Sequence, residues 1–303
     1  MPDYAVLDAA LTRAGIPFLR DERMSAHTSF KIGGPADRFL RIADAASLSA
    51  ALAALSAAAV PYFALGNGSN LLVPDEGLRG AVLALGGEFK SAELSGSGRL
   101  LCGSAVSLAA ACALARDNAR TGLELAWGIP GSLGGALYMN AGAYGGEMKQ
   151  AVSRVWFVEE DGTPASLSGE GLRFGYRTSA FTNTRRVITK AELCLAHGAE
   201  AEITAKMDDL MQRRKSKQPV ELPSAGSVFK RPEGHFAGTL IENCGLKGFR
   251  IGGACVSEKH AGFIVNCGRA TCADVERLIA HIQETVLRET GVQLEPEVRR
   301  IRL

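Results

Sequence analysis

The chain has no C-x-x-C pair, no H-E-x-x-H run and no block of lysine and arginine long enough to track a nucleic-acid backbone. Each absence removes a class of function. Seven cysteines (Cys102, Cys112, Cys194, Cys244, Cys255, Cys267 and Cys272) are odd in number and irregular in spacing. That fits reduced thiols in a cytosolic protein and argues against a disulfide frame or a zinc centre. The five histidines are scattered, so no metal is expected. A net charge of +2 argues against a broad nucleic-acid face, although a local spot such as RRKSKQ (213–218) can serve a small anion. There is no internal repeat and no low-complexity linker.

Membrane signals are also scarce. The start, MPDYAVLDAALTRAG, carries Asp3 and Asp8 and lacks a basic leader, so it does not read as a signal peptide. The uncharged stretch AASLSAALAALSAAAVPYFAL (45–65) is mostly Ala and Ser and is interrupted by Pro61. Leu48, Leu52 and Leu55 form one stripe, which predicts a small-residue amphipathic helix followed by a strand, not a membrane span. A cytoplasmic location is expected.

What is present is a chain of 303 residues, enough for two domains with real cores. Strand-like runs alternate with helices in the first two thirds: RFLRI (38–42), PYFALG (61–66), AVLAL (81–85), RVWFVEE (154–160) and RVITKAELCL (186–195). A helix follows with Ile203, Met207, Leu210 and Met211 on one face and runs into RRKSKQPVELP, where a passage between domains is expected. Farther on, 271–291 predicts a helix with Thr271 as N-cap, Asp274 in the first turn, Gly291 past the end, and an apolar stripe from Val275 to Val286. The fold class is α+β, in two domains, 1–197 (core about 28–195) and 198–303.

Two glycine stretches stand out. In LGNGSNLLV (65–73), Gly66 and Gly68 permit a sharp turn, and Asn67, Ser69 and Asn70 add short polar side chains. This is either a nest for a pyrophosphate or a Gly/Asn hairpin turn. In GIPGSLGGALYMNAGAYGGE (128–147), Gly128, Pro130, Gly131, Ser132, Gly134 and Gly135 precede a helix-compatible ALYMNAGA, which ends in Gly142 and Ala143, and Gly145 and Gly146 follow. Here the alternatives are phosphate binding at a helix N-terminus and a glycine seam for helix packing. Neither stretch is G-x-G-x-x-G after a strand, and neither ends in G-K-[ST], so a Rossmann site and an NTPase both fit poorly.

Those stretches, with HTSFKIGGPADRFL (27–40), FGYRTSAF, QPVELPSAGSVFKRP, AGTLIENCGLKG, VSEKHAGFIVN and LEPEVR (294–299), resemble the UDP-N-acetylenolpyruvoylglucosamine reductase family. The short passage from FGYRTSAF to the C-terminal third is similar to its smaller type II branch. His27 departs from an Asn expected in many relatives. The resemblance implies a vanillyl-alcohol-oxidase/PCMH-type domain that binds FAD, then a smaller α+β substrate-binding domain; with no His or Cys in either glycine stretch to tether the flavin, noncovalent binding is expected. It also implies NADPH as hydride donor and UDP-N-acetylglucosamine enolpyruvate as substrate, in peptidoglycan precursor synthesis. No nucleic-acid, membrane or obligate protein partner is expected.

The same resemblance implies hydride delivery from flavin N5 to the enolpyruvyl terminal carbon, followed by protonation of an enolate. An oxyanion must be stabilised and one proton delivered to carbon. Arg177 in GYRTS matches the arginine that holds the carboxylate, though surface ion pairing is the commoner role for arginine. Ser227 in AGSVF matches the proton donor; it is not a G-x-S-x-G elbow, and its alternative is a turn serine. Glu297 matches the glutamate that supports the growing charge, with Glu295 as competitor. Lys217, Lys230, Arg231 and Tyr144 are candidate substrate contacts, and Arg214 and Asn140 candidate cofactor contacts. A PCMH-type flavin oxidase and a non-catalytic nucleotide-binding protein are the rival readings; neither explains the Arg177, Ser227 and Glu297 set.

Overall fold

A computed structural model describes residues 1–303 as two compact units. The first comprises Met1–Arg20, Arg38–Asn67 and Gly80–Gln212; the second comprises Asp21–Asp37, Gly68–Arg79 and Arg213–Leu303. A cut at 197/198 thus leaves two early segments on the wrong side. Their side chains give the reason: Phe30, Ile32 and Leu72 are buried in the same apolar cluster as Val228, Ile264 and Leu278. Burial of apolar area, not chain order, decides the grouping.

In the first unit, helices α1 (Tyr4–Arg13) and α2 (Ala45–Ala57) share a core with the strand Tyr62–Leu65. Asp44 starts α2 through a capping box with Ser47, and Leu48, Leu52 and Leu55 form its buried stripe, as the sequence predicts. Tyr62–Leu65 belongs to a four-stranded sheet and runs parallel to Leu78–Leu85, with Tyr62 opposite Ala81. A second sheet of five antiparallel strands follows the order Pro164–Ser168, Val152–Val158, Val187–Leu193, Leu100–Gly103, Ala92–Leu94. Helices α3 (Leu108–Asp117) and α4 (Leu133–Tyr138) share its core, where Leu100, Leu133, Val155 and Phe181 are fully buried.

Helix α5 (Glu200–Lys217) carries the expected passage between domains: RRKSK forms its last turns, and the change of unit falls at the start of that run, at 212/213. Its basic residues Arg214, Lys215 and Lys217 occupy the negative end of the helix dipole. In the second unit an antiparallel sheet has the order Ser224–Ser227, Phe263–Asn266, Ala254–Val256, Arg250–Ile251. Helices α6 (Ala237–Asn243) and α7 (Cys272–Thr290) share its core. The N-terminus of α7 is capped twice, by Thr271 and by the Asp75 carboxylate, which accepts from the amides of Cys272 (2.7 Å) and Ala273 (3.0 Å). No helix is long and apolar enough to cross a membrane.

Candidate active site

The two glycine stretches meet in the first unit. Gly66 follows the strand Tyr62–Leu65, and a methyl group added there would lie 2.6 Å from Ser132 Oγ. Ser132 is the N-cap of α4. The hairpin alternative for 65–73 fails, because Leu71–Leu72 pairs with Arg299–Arg300 and Tyr62–Leu65 pairs with Leu78–Leu85. Gly68 has φ 63°, and a side chain there would collide with the His27 carbonyl, so packing within the second unit already requires glycine. Asn70 Nδ2 donates to the Glu297 carbonyl (3.1 Å), which makes Asn70 a support of the Glu297 segment. Ser69, beside it, is half-buried.

The 128–147 stretch departs from expectation at three places. Helix α4 is six residues long, and its first amides are used internally. Leu133 N donates to Val106 O (2.8 Å), Gly134 N to Ser104 O (2.8 Å) and Gly135 N to Ser132 Oγ (3.4 Å). The helix N-terminus is therefore spent on the protein and is not an open phosphate site. Second, ALYMNAGA is helical only to Tyr138. Asn140 takes φ 42°, its amide donates to Leu137 O (3.3 Å), and the Ala141 amide donates to Ala136 O (2.8 Å), a Schellman ending with Asn in the left-handed position.

Third, Asn140 is 0% exposed and has no surface to offer a cofactor. Its Nδ2 donates to Glu147 Oε2 (3.1 Å) and Gly175 O (2.9 Å), and its Oδ1 accepts from the Lys149 amide (2.9 Å). Beyond it, Gly142 pairs with Glu147 and Ala143 with Gly146 in a hairpin whose two central residues, Tyr144 (φ 53°) and Gly145 (φ 86°), are both left-handed, as a type I′ turn demands. Tyr144 is an exposed aromatic at that tip.

What remains for FAD in this unit is a strip of nearly bare backbone. Gly66, Asn67, Pro130 and Gly135 are exposed, Gly128 (φ 80°) and Gly131 are half-buried, and no charged side chain stands among them. Contacting loops with almost no side chains fit a long dinucleotide that needs close backbone approach. Arg214, 8% exposed and bonded to Gln218 Oε1 (3.2 Å), belongs to the second unit.

Arg177 stands on a tight turn. Gly175 and Thr178 exchange both backbone bonds (3.1 and 3.2 Å), and Arg177 between them has φ 56°, a strained conformation for a long side chain. Its Nη2 donates to the Gly142 carbonyl (3.2 Å), and its guanidinium lies 5.1 Å from the centre of the exposed Tyr176 ring. Arg177 and the Tyr144 hairpin are thereby joined within one unit.

The second unit brings Ser227 and Glu297 into adjacent segments. Glu297 N donates to Val228 O (2.7 Å), Lys230 N donates to Glu295 O (2.9 Å), and Phe229 pairs with Pro296. The two glutamates part company here. Glu295 is exposed and ion-paired with Lys230, whereas Glu297 is half-buried. Ser227 Oγ makes only long contacts, 3.3 Å to Phe229 O and 3.5 Å to Gly262 O, so its hydroxyl is not locked into the turn. Arg231 stacks on Phe236 at 4.0 Å and Lys217 is exposed at the end of α5.

Sequence reasoning missed His260. Burial pushes its pKa below the ordinary histidine value, which keeps the ring neutral near pH 7. Nδ1 accepts from the Gly262 amide (3.1 Å), so the neutral ring carries its proton on Nε2. A methyl on Gly262 would lie 3.0 Å from this ring and 3.5 Å from Ser227 Oγ, which places imidazole and hydroxyl around one glycine. The signal was within VSEKHAGFIVN, but only the fold shows what stands beside the histidine.

Comparison with known proteins decides the family. Residues 36–168 match an FAD binding domain, and residues 218–301 match the C-terminal domain of UDP-N-acetylenolpyruvoylglucosamine reductase. The reductase of that name from Caldanaerobacter subterraneus subsp. tengcongensis is 46% identical over 92% of this chain and 92% of its own. The chain belongs to the UDP-N-acetylenolpyruvoylglucosamine reductase family. Its counterpart from Exiguobacterium sibiricum is 47% identical, over 93% of this chain and 92% of the relative. A crystal structure of the Thermus caldophilus reductase, 36% identical, covers 94% of this chain and 98% of that one with a TM-score of 0.81. A berberine bridge enzyme variant, 13% identical and covering 64% of this chain and 44% of its own, shares the fold alone at a TM-score of 0.51. The family member described here is an FAD-dependent oxidoreductase with a PCMH-type first domain and an α+β second domain.

Proposed function

We propose that this enzyme reduces UDP-N-acetylglucosamine enolpyruvate to UDP-N-acetylmuramate at the expense of NADPH, a cytoplasmic step of peptidoglycan precursor synthesis. The observation that carries the reading is the pairing of the Ser227 and Glu297 segments, in a chain whose family is named for this reduction. FAD, when bound, supplies hydride transfer between NADPH and the substrate's C=C bond. The bare backbone at Gly66, Asn67, Gly128, Pro130, Gly131 and Gly135 would hold it. Binding is noncovalent, since neither glycine stretch contains the histidine or cysteine that a tether needs.

Arg177 holds the substrate carboxylate with a charge that cannot be titrated away, and keeps it as negative charge spreads from the reacting carbon. Ser227 Oγ donates its proton to that carbon. Glu297, protonated beside the substrate carboxylate, donates a hydrogen bond to the same developing charge. Lys217, Lys230 and Arg231 contact the nucleotide diphosphate, with Lys230 exchanging its Glu295 partner, and Tyr144 packs on the substrate.

The test is NADPH consumption without oxygen, with and without the enolpyruvyl nucleotide sugar. Stoichiometric consumption with UDP-N-acetylmuramate as product supports the reading; equal consumption in both mixtures sinks it. Heat denaturation should release all yellow colour from the chain.

A further inference from the structure

Two strained turns in the first unit carry side chains of the proposed chemistry: the hairpin with Tyr144 at its tip and the turn with Arg177. One buried amide bonds to both. Asn140 donates to the Gly175 carbonyl, at the base of the Arg177 turn, and to Glu147, the hairpin residue paired with Gly142. Gly142 in turn gives its carbonyl to Arg177 Nη2. The circuit closes: Asn140, Gly175, Arg177, Gly142, Glu147 and back to Asn140.

We infer that Asn140 is a positioning residue that sets Arg177 through this circuit, so that the guanidinium meets the substrate carboxylate without reorganising. Each link has a physical reason. A left-handed residue is needed where α4 ends, and Asn is among the few side chains that accept it. With 0% exposure, its amide cannot trade these bonds for water. Three of its four hydrogen-bonding capacities are filled, and they tie two chain segments together, Glu147 and Lys149 on one and Gly175 on the other. A glycine would satisfy the turn and an aspartate the shape, but only the amide donates to a carbonyl and a carboxylate together. The inference rests on the proposed role of Arg177.

The test separates the two half-reactions in Asn140→Asp. NADPH-driven flavin bleaching and flavin content should stay near wild type. Reoxidation by the enolpyruvyl nucleotide sugar at pH 8 should fall by about ten- to a hundredfold, the loss that a small misplacement of a charged group produces. The new carboxyl is buried beside Glu147, whose own partner is Lys149 (2.9 Å), with Arg177 the remaining charge on the facing turn. Burial and like charge raise its pKa, so lowering the pH to 6 protonates it, restores a donor and recovers part of the rate.

Arg177→Lys should be slow by itself, and adding Asn140→Asp should slow it little further, because both act through one group. Asn140→Gly, which keeps the left-handed turn, should show the same loss and the same non-additivity without pH recovery, and it decides the matter if the aspartate variant does not fold. Wild-type reoxidation in either folded variant, or full additivity with Arg177→Lys, overturns the inference. An Arg177→Lys enzyme as fast as wild type overturns it together with the role of Arg177, whereas normal Asn140 variants beside a slow Arg177→Lys enzyme overturn the circuit alone.

Discussion

Glu295 and Glu297 are separated by a single proline, yet their surroundings give them different work. Glu295 is exposed and neutralised by Lys230; Glu297 is half-buried, with its backbone tied to Val228 and Asn70. Glu295→Gln should change the turnover by less than about twofold, as exposed ion pairs contribute little. Glu297→Gln should slow the substrate half-reaction by about 10²-fold or more, the scale of a positioned acid, and leave NADPH-driven bleaching unchanged. Stopped-flow absorbance on both variants checks the pair, and a reversed order of effects would exchange their roles. From sequence alone the two carboxylates were competitors, separated only by family resemblance, because nothing local reveals which one a lysine reaches.

At the scale of elements, the strands and the helices α2 and α7 were legible because their apolar residues repeat with the right period and their caps are written beside them. Three features were not. The end of α4 depends on a left-handed Asn140, the continuation of α5 through RRKSK overrides its charge run, and the capping of α7 by Asp75 reaches across 197 positions. The first is decided by a single backbone angle and the third by a contact distant in sequence.

Two predictions belong here. Gly262→Ala puts a methyl 3.0 Å from the His260 ring and 3.5 Å from Ser227 Oγ, tighter than a rigid site tolerates. It should slow substrate-driven reoxidation at least about tenfold while leaving NADPH-driven bleaching intact; equal slowing of both steps would contradict the placement. The second concerns the tie from α5 to the segment Glu124–Ala126. Burial alone would raise the Glu124 pKa, but bonds from Thr121 (2.5 Å), Gly122 N (3.0 Å) and Lys206 (3.2 Å) outweigh it and hold the carboxyl below its ordinary 4.5. A lowered folded-state pKa stabilises fully above the unfolded value and loses that contribution as pH falls through the folded one. Thermal stability should therefore drop below about pH 4.5 less steeply in Glu124→Gln than in wild type, and parallel melting curves would contradict this.

Across the whole molecule, the sequence divides the chain once, near residue 200, whereas the structure threads Asp21–Asp37 and Gly68–Arg79 into the C-terminal unit. Linear reading failed there because those segments are short, and their few apolar residues pair with partners more than 150 positions away. The proposed mechanism gives Arg177, Ser227 and Glu297 roles at the substrate's reacting end. Its central claim is that the proton for the substrate carbon comes from Ser227, and Ser227→Ala isolates that proton. Under nitrogen, NADPH should bleach the flavin of this variant at nearly the wild-type rate, since that step delivers no proton to substrate. Mixing the reduced variant with the enolpyruvyl nucleotide sugar should restore the yellow colour at least about 10²-fold more slowly than in wild type, and Ser227→Cys, with a more acidic group in the same place, should regain part of the loss. Reoxidation of Ser227→Ala at the wild-type rate would mean that another group supplies the proton.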